Sequence, residues 1–476
     1  MDVIKYMAEK YSPWGWVGQR SHDAAVISRY LPLGAVLSCD SGSETDLFLR
    51  GVPFFSLEKH VPLRRNWSNN DLDMALEGPP GEKFRDMFKE AGQDINMICY
   101  RSLKSLESYS SSGNIRMLSA SSVLKRRFDD KFLFYDNLQR MGIERIPGRK
   151  GVLGAERWKD LKKELSLPFV VRFPYGSSGK YTFIIENDRD LRLLTEGHRG
   201  KEVLLNKYIG GFSLNMNAAV MTTADGVKII CSRPSVQLTG VPGCSNFPAQ
   251  FCGNDFSATD RVDDNILKEM GRQTEITGKW MASEDFRGVF GMDFLISGKK
   301  VLPLEINPRF QNSTALYDQL KSFEGVPFMF FVMQAAEFLQ KRDKRLRSFI
   351  EKTDTGDFMS PLGGSQLILH NMGSESTVSR QVPAGIYDLS GESVRFLKKE
   401  AVLCPDGSPG QILLTCGVPA KGLRITHGAP LCKIQLLSQL VDAYNMKDIA
   451  PDIKDALPRI YSLFGLTSRN ELEVVI

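Results

Sequence analysis

The 476-residue sequence predicts an α/β (α+β) protein of several domains, and three observations predict it. Short apolar runs of strand length alternate with helix-like pieces through the first 115 or so residues. A second alternation of strands and helices follows, ending in two long apolar runs separated by a polar turn. From about Arg345 the pattern changes to short strands and turns, as in ILLTCGVPAKGLRITHGAPLCKIQLL, with a charged helix pair expected at the end. The expected divisions are 1–117, a small α/β domain; 118–345, a central core with a subdomain at about 150–210; and 346–476, a β-rich domain.

In the first segment the strands are GAVLSC (34–39) and INMICY (95–100). No GxGxxG follows either of them, so a dinucleotide site is not indicated. From Ser119, SASSVLKRRFDDKFLFYDNLQRMGIERIP predicts one helix with a serine N-cap, ending near Gly142 and closed by Pro147. Then come the strand LPFVVRF, a glycine turn, the strand TFIIEN, a helix from about Asp188 and the strand EVLLNKYI. Residues 232–257, rich in Gly, Pro, Cys and polar types, predict strands with long loops, and Asn265–Ser283 predicts a helix.

Composition narrows the class. Hydrophobic residues make up 42% and charged residues 25%, which are globular values, and the net charge of +5 is mild for this length. The basic cluster Lys125, Arg126 and Arg127 is too short for a nucleic-acid surface. The run VPFMFFVMQAAEFL is too short to span a bilayer and predicts a buried helix. The first residues lack a signal-type apolar core, so a cytoplasmic location is expected. Eight cysteines lie without CxxC pairs, which indicates neither zinc nor a disulfide framework.

Chemistry concentrates in GVFGMDFLISGKKVLPLEINPRFQNST (288–314). Two strands joined by a turn at Ser297–Lys300 place Asp293 and Glu305 side by side on an otherwise apolar sheet. Paired acids in such surroundings require compensation, either from lysines at a sheet edge or from a hard cation such as Mg²⁺ held against phosphates. Asn307 and Arg309 add an oxygen ligand and a fixed cation at the same mouth, favouring an anion-plus-metal site. Upstream, Gly176-Ser177-Ser178-Gly179-Lys180 is either a solvent turn or a loop whose N–H groups face a phosphate; it is not a Walker loop. Arg172, in the preceding apolar strand, needs an anion. Lys131, after two aspartates, is either a salt-bridge lysine or a second phosphate clamp.

The order DDK (129–131), VVRFPYGSSG, NKYIGG (206–211) and then an acid followed by E-x-N-x-R resembles the ATP-grasp superfamily, over roughly 119–340. The resemblance implies an ATP-grasp fold with a small α/β domain in front and a β-rich domain behind. It implies that Lys131 and Arg172 contact ATP phosphates, that Gly176, Ser177, Ser178 and Gly179 close over them as a lid, and that Asn206, Lys207, Tyr208 and Ile209 seat adenine. Asp293, Glu305 and Asn307 would hold one or two Mg²⁺ (or Mn²⁺), and Arg309, with Arg172, would be catalytic, stabilising charge on a carboxylate as it is phosphorylated. The chain departs from the family pattern at Asn206, where glutamate is usual, and at Arg172, where lysine is commoner; Ser213 stands where many relatives have an acid.

The reaction so implied is carboxylate–amine ligation: ATP phosphorylates an acid, an amine attacks the acylphosphate, and ADP and phosphate leave. The overall plan looks most like the amino-acid or peptide ligases of secondary metabolism, such as antibiotic biosynthesis. Expected partners are a small carboxylate and an amine, including an amino acid or peptide, with neither nucleic acid nor membrane; many relatives are homodimers. Arg233, Ser245, Asn246 and Gln250 are either substrate contacts or part of a surface loop. The alternatives are a ligase loading an acyl-carrier protein or another macromolecule, hinted at by Lys125–Arg127, and a nucleotide-binding regulator without turnover.

Overall fold

In the computed structural model the described residues are 2–468, apart from 61–63, 66–68, 92–93, 112–114, 177–178, 180, 327–328 and 443–444. The first segment forms a five-stranded parallel sheet. Its central strand, Trp14–Gly18, is flanked by Leu33–Ser38 and Ile95–Cys99. These strands are apolar on both faces, as a parallel sheet covered by helices requires.

One predicted helix is two. Ser122–Phe128, capped by Ser121, stops before Asp129, and Lys131–Arg140 starts afresh on the Asp130 cap. The Asp130 carboxylate accepts from the backbone N–H of Phe132 and Leu133, satisfying orphan donors that a continuous helix would not have. The break puts Lys131 on the first turn of a new helix, buried against the next subdomain, rather than on a solvent-facing helix surface.

A four-stranded antiparallel sheet follows, containing Phe169–Arg172, Thr182–Ile185 and Glu202–Lys207. The large element is an eleven-stranded sheet, running from Lys300–Asn307 at one edge through Gly288–Ser297 and Phe212–Thr223 to Arg395–Lys399 at the other. Five strands beyond 345 extend this sheet, through the antiparallel pairing of Phe251–Asp255 with Ser365–His370, while Ser376–Val378, Arg424–Ile425 and Leu466–Ser468 form a separate small sheet with Arg64–Arg65. Beyond Leu436 the expected helix pair is a single described helix, Pro451–Ser462; after it Leu466–Ser468 is a strand paired with Ser376–Val378. No described helix is long and apolar enough to cross a membrane, and Met329–Leu339, within the apolar run, is a buried helix.

The N-terminal segment fixes the far end of the site. Trp16, Phe310 and Phe331 form a buried aromatic cluster, with ring centroids of Trp16 and Phe331 5.6 Å apart and of Phe310 and Phe331 4.9 Å apart. Each such buried ring contributes about 2 kcal/mol of apolar burial. Phe310 also donates its N–H to the Tyr100 carbonyl at 3.1 Å, so the neighbouring Arg309 is held by the front sheet.

Candidate active site

The hairpin register places Asp293 directly opposite Glu305, with Gly291 opposite Asn307. Asp293 is 7% exposed. Its two oxygens meet neutral amides: Gln311 Nε2 donates to Oδ1 at 2.9 Å, and Asn307 Nδ2 and Gln237 Nε2 approach Oδ2 at 3.3 and 3.4 Å. The missing side chain of Gly291 is what lets Gln311 in, since a Cβ there would lie 2.0 Å from Gln311 Cδ. Burial, and next the facing Glu305, push the Asp293 carboxyl up to about 7. Glu305 goes the other way: burial would raise it, but Lys131, Arg309 and Arg172 outweigh that and hold it below its ordinary value.

Three cations surround the pair. Lys131 Nζ lies 2.8 Å from Glu305 Oε2 and donates to the Gly176 carbonyl at 3.2 Å, so one ammonium joins the acid to the glycine turn. Arg172 donates through Nη1 to the Leu304 carbonyl at 3.1 Å and through Nε and Nη2 to Asn206 Oδ1 at 3.3 and 3.0 Å. Arg309 donates through Nη2 to Asn307 Oδ1 at 2.7 Å and through Nη1 to Tyr100 Oη at 3.1 Å and the Phe310 carbonyl at 2.9 Å.

These groups line one cavity of about 410 Å³, within the range of small-molecule sites. Lys131, Arg172, Gly179, Asn206, Lys207, Tyr208, Ile209, Asp293, Glu305, Asn307 and Arg309 all reach it, as does Ser213; among the described residues no histidine lines it. Gly176 is beside it through its carbonyl, while Ser177 and Ser178 lie outside the described residues. The structure does not bring the four expected substrate contacts to this cavity. Arg233 is ion-paired with Asp260 at 2.9 Å; Ser245 hydrogen-bonds Gln250 Oε1; Gln250 Nε2 donates to the Gly428 carbonyl and Asn246 Nδ2 to that of Met372. Asn246 and Gln250 bind the loop before Phe251–Asp255 to the C-terminal segment, while Pro248, Ala249 and Phe251 supply the cavity wall.

Several lining residues were not anticipated. Gln311 continues the every-second spacing of 305, 307 and 309, a period-2 signal that could have found it. Gln237 and Asn215 sit on neighbouring strands, and Met446 and Lys447 arrive from the C-terminal segment, with no local motif to mark them.

Two facing carboxylates, an amide oxygen and no softer ligand make a donor set for a hard divalent cation. The buried Asp293, facing Glu305 and hydrogen-bonded by amides rather than by a cation, is the observation that fits one. Among the described residues no group of three or more His, Cys, Asp or Glu is arranged to hold a metal by itself. Two carboxylates suit an ion that keeps water and shares phosphate oxygens.

Comparison with known proteins agrees with this geometry. A family model described as the ATP-grasp domain matches residues 128–313. The chain carries an ATP-grasp domain. It is 25% identical over 222 residues to the carbamoyl phosphate synthase large chain of Caldanaerobacter subterraneus, covering 46% of this chain and 19% of that one. It is 23% identical over 205 residues to the formate-dependent phosphoribosylglycinamide formyltransferase of Prochlorococcus marinus, covering 40% of this chain and 48% of that one. The chain thus spans less than half of either curated relative's length. The biotin carboxylase domain of Hydrogenobacter thermophilus 2-oxoglutarate carboxylase, solved with MgADP, ADP and bicarbonate, superposes with a TM-score of 0.55 at 15% identity, over 89% of this chain and 86% of that one. That likeness is one of fold, and it extends beyond residues 128–313 into the segments on either side.

The position of Gly179 supplies a test. Gly179 has φ +76, and a Cβ there would lie 1.7 Å from the Ala249 carbonyl oxygen. Gly179→Ala forces the turn away from the wall and places an L-residue in the left-handed region, at about 1–2 kcal/mol. The expected result is a loss in kcat/KM for ATP of about tenfold with little change in Tm. Wild-type kinetics would show that the turn does not close against Ala249.

Proposed function

We propose that this chain is an ATP-dependent ligase that activates a small carboxylate as an acylphosphate and joins it to an amine. The observation that carries the reading is the facing pair Asp293 and Glu305, ringed by Lys131, Arg172 and Arg309 at one cavity floor. Phosphoryl transfer asks for positioning and charge neutralisation, which fixed cations supply without a histidine. Lys131 and Arg172 stand where phosphate oxygens need positive charge, and Asn206–Ile209 form the edge against which the base lies. Asp293, Glu305 and Asn307 would hold Mg²⁺, which when bound neutralises phosphate charge.

In the first step an oxygen of the acid attacks the γ-phosphorus, the bond to the β-phosphate oxygen breaks, and ADP leaves. Arg309 faces the charge that builds on that oxygen. In the second step the amine attacks the acyl carbon, phosphate departs with the bonding pair, and the amine loses a proton to solvent or phosphate. Exclusion of water by the turn at Gly179 against Ala249 protects the acylphosphate.

The acid is an amino acid or peptide in this reading, as in peptide ligases of natural-product pathways. The basic run gives no support to a carrier-protein acceptor: Lys125 is paired with Asp129, Arg127 with Glu284, and Arg126 lies over the Tyr175 ring at 5.5 Å. The test is ADP release with Mg²⁺ and ATP over a matrix of twenty amino acids, simple dipeptides and bicarbonate, with products read by mass. A pair-dependent product at the summed mass less water is expected, and EDTA should abolish it. ATP binding with no turnover on any pair would instead favour the regulator reading.

A further inference from the structure

We propose that Asn206 is a specificity-determining residue that presents hydrogen-bond donors, and no acceptor, to the 6-position of the bound purine, so that the site takes 6-oxopurine as well as 6-aminopurine nucleotides. This rests on the reading of Asn206–Ile209 as the base-binding edge.

The argument is one of satisfiability. An amide oxygen has two lone pairs. Both of those on Asn206 Oδ1 face one guanidinium, Arg172 Nε at 3.3 Å and Nη2 at 3.0 Å. Arg172 is itself held, since Nη1 donates to the Leu304 carbonyl at 3.1 Å and the residue is paired with Leu204 in the subdomain sheet. A guanidinium neither accepts a hydrogen bond nor loses its charge in a protein, so it also decides which end of the Asn206 amide is oxygen.

What remains to Asn206 is its NH₂ group. Nδ2 lies 3.5 Å from the Ile146 carbonyl, a long contact, and among the described residues it has no other acceptor. Ile146, Arg172 and Asn206 all line the cavity beside Lys207–Ile209. A 6-amino group would bring donors toward this donor, whereas a 6-oxo group would bring the acceptor it lacks. Adenine is then recognised by main-chain groups alone, with no side-chain preference for its amino group. A glutamate at this position would behave differently, because its second oxygen stays free to accept after the guanidinium is satisfied.

The experiment is calorimetric binding of ATP and of inosine triphosphate, each with Mg²⁺, to the full chain, so that no acid or amine need be known. The expected Kd values for the two nucleotides agree within about threefold, since the hydrogen bond that Asn206 Nδ2 donates to a 6-oxo group offsets the main-chain preference for a 6-amino group. Asn206→Asp keeps one oxygen for Arg172 and offers another to the base; it should move the ratio about tenfold toward ATP. A wild-type protein that binds ATP and rejects inosine triphosphate by a hundredfold or more overturns the proposal, as does an unchanged ratio in a folded Asn206→Asp variant. Failure to bind either nucleotide would instead overturn the nucleotide reading beneath it.

Discussion

Glu305→Ala is expected to lower kcat by about 10³-fold while leaving the Kd for ATP within a few-fold of wild type. Two effects combine. The substitution removes one of only two carboxylates in the donor set, and Asp293 alone, with its oxygens on Gln311, Asn307 and Gln237, is a poor hold for a divalent cation. It also leaves Lys131 without its ion pair at 2.8 Å, with only the Gly176 carbonyl as partner among the described residues. A buried ammonium that loses its counter-ion is destabilising by a few kcal/mol, so Tm must be measured beside kcat. Glu305→Gln separates the two effects, since it keeps the shape and an oxygen near Lys131 but not the charge. If metal holding is the role, the glutamine variant recovers Tm and not turnover. Near wild-type turnover in either folded variant would remove Glu305 from the metal site.

How much of this was legible beforehand follows the range of each interaction. Asp293 and Glu305 could be paired from sequence because a short turn joins their strands, and a hairpin register is set locally. The register shift just after Asp293, where Phe294 meets Pro303, leaves the two acids opposite each other. The break between Asp129 and Asp130 was not read from the sequence: KRRFDDKFLF has no Gly or Pro to mark a stop, and the Asp130 cap, together with the bond from Lys131 N–H to the Pro174 carbonyl, selects two helices. The direction of Ser245, Asn246 and Gln250 was hidden for a different reason. Asn246 and Gln250 bond to Met372 and Gly428, more than a hundred residues away in segments that the loop does not encode, and Ser245 follows by bonding to Gln250. Met446 and Lys447 illustrate the same limit from the other end, reaching the cavity only because the C-terminal strands continue the sheet of the core. Local chemistry was readable, and the walls of the pocket were a property of the topology.

Arg309→Lys is expected to reduce kcat by about 10²-fold or more with ATP affinity nearly unchanged, although the charge is retained. The reason lies in which edge of the guanidinium is engaged. Nη1 serves Tyr100 Oη and the Phe310 carbonyl, and Nη2 serves Asn307 Oδ1, while Nε makes no hydrogen bond among the described residues. The Nε side is therefore the part of the fork available to an oxyanion, held in place by the other contacts and by the Tyr100 ring 5.5 Å away. An ammonium on a flexible stem can replace the charge, but it cannot keep the Tyr100, Phe310 and Asn307 contacts while pointing a donor into the cavity. Loss of the Asn307 contact also frees the amide that approaches Asp293 at 3.3 Å, so the carboxylate pair loses part of its orientation. Arg309→Ala should be worse in kcat, by about a further tenfold, and should still bind ATP, because Lys131, Arg172 and the Asn206–Ile209 edge are untouched. An equal fall in ATP affinity and kcat, or a large drop in Tm with lysine, would mark Arg309 as a strut between the front sheet and the core, and the charge building on the acid would then need another partner.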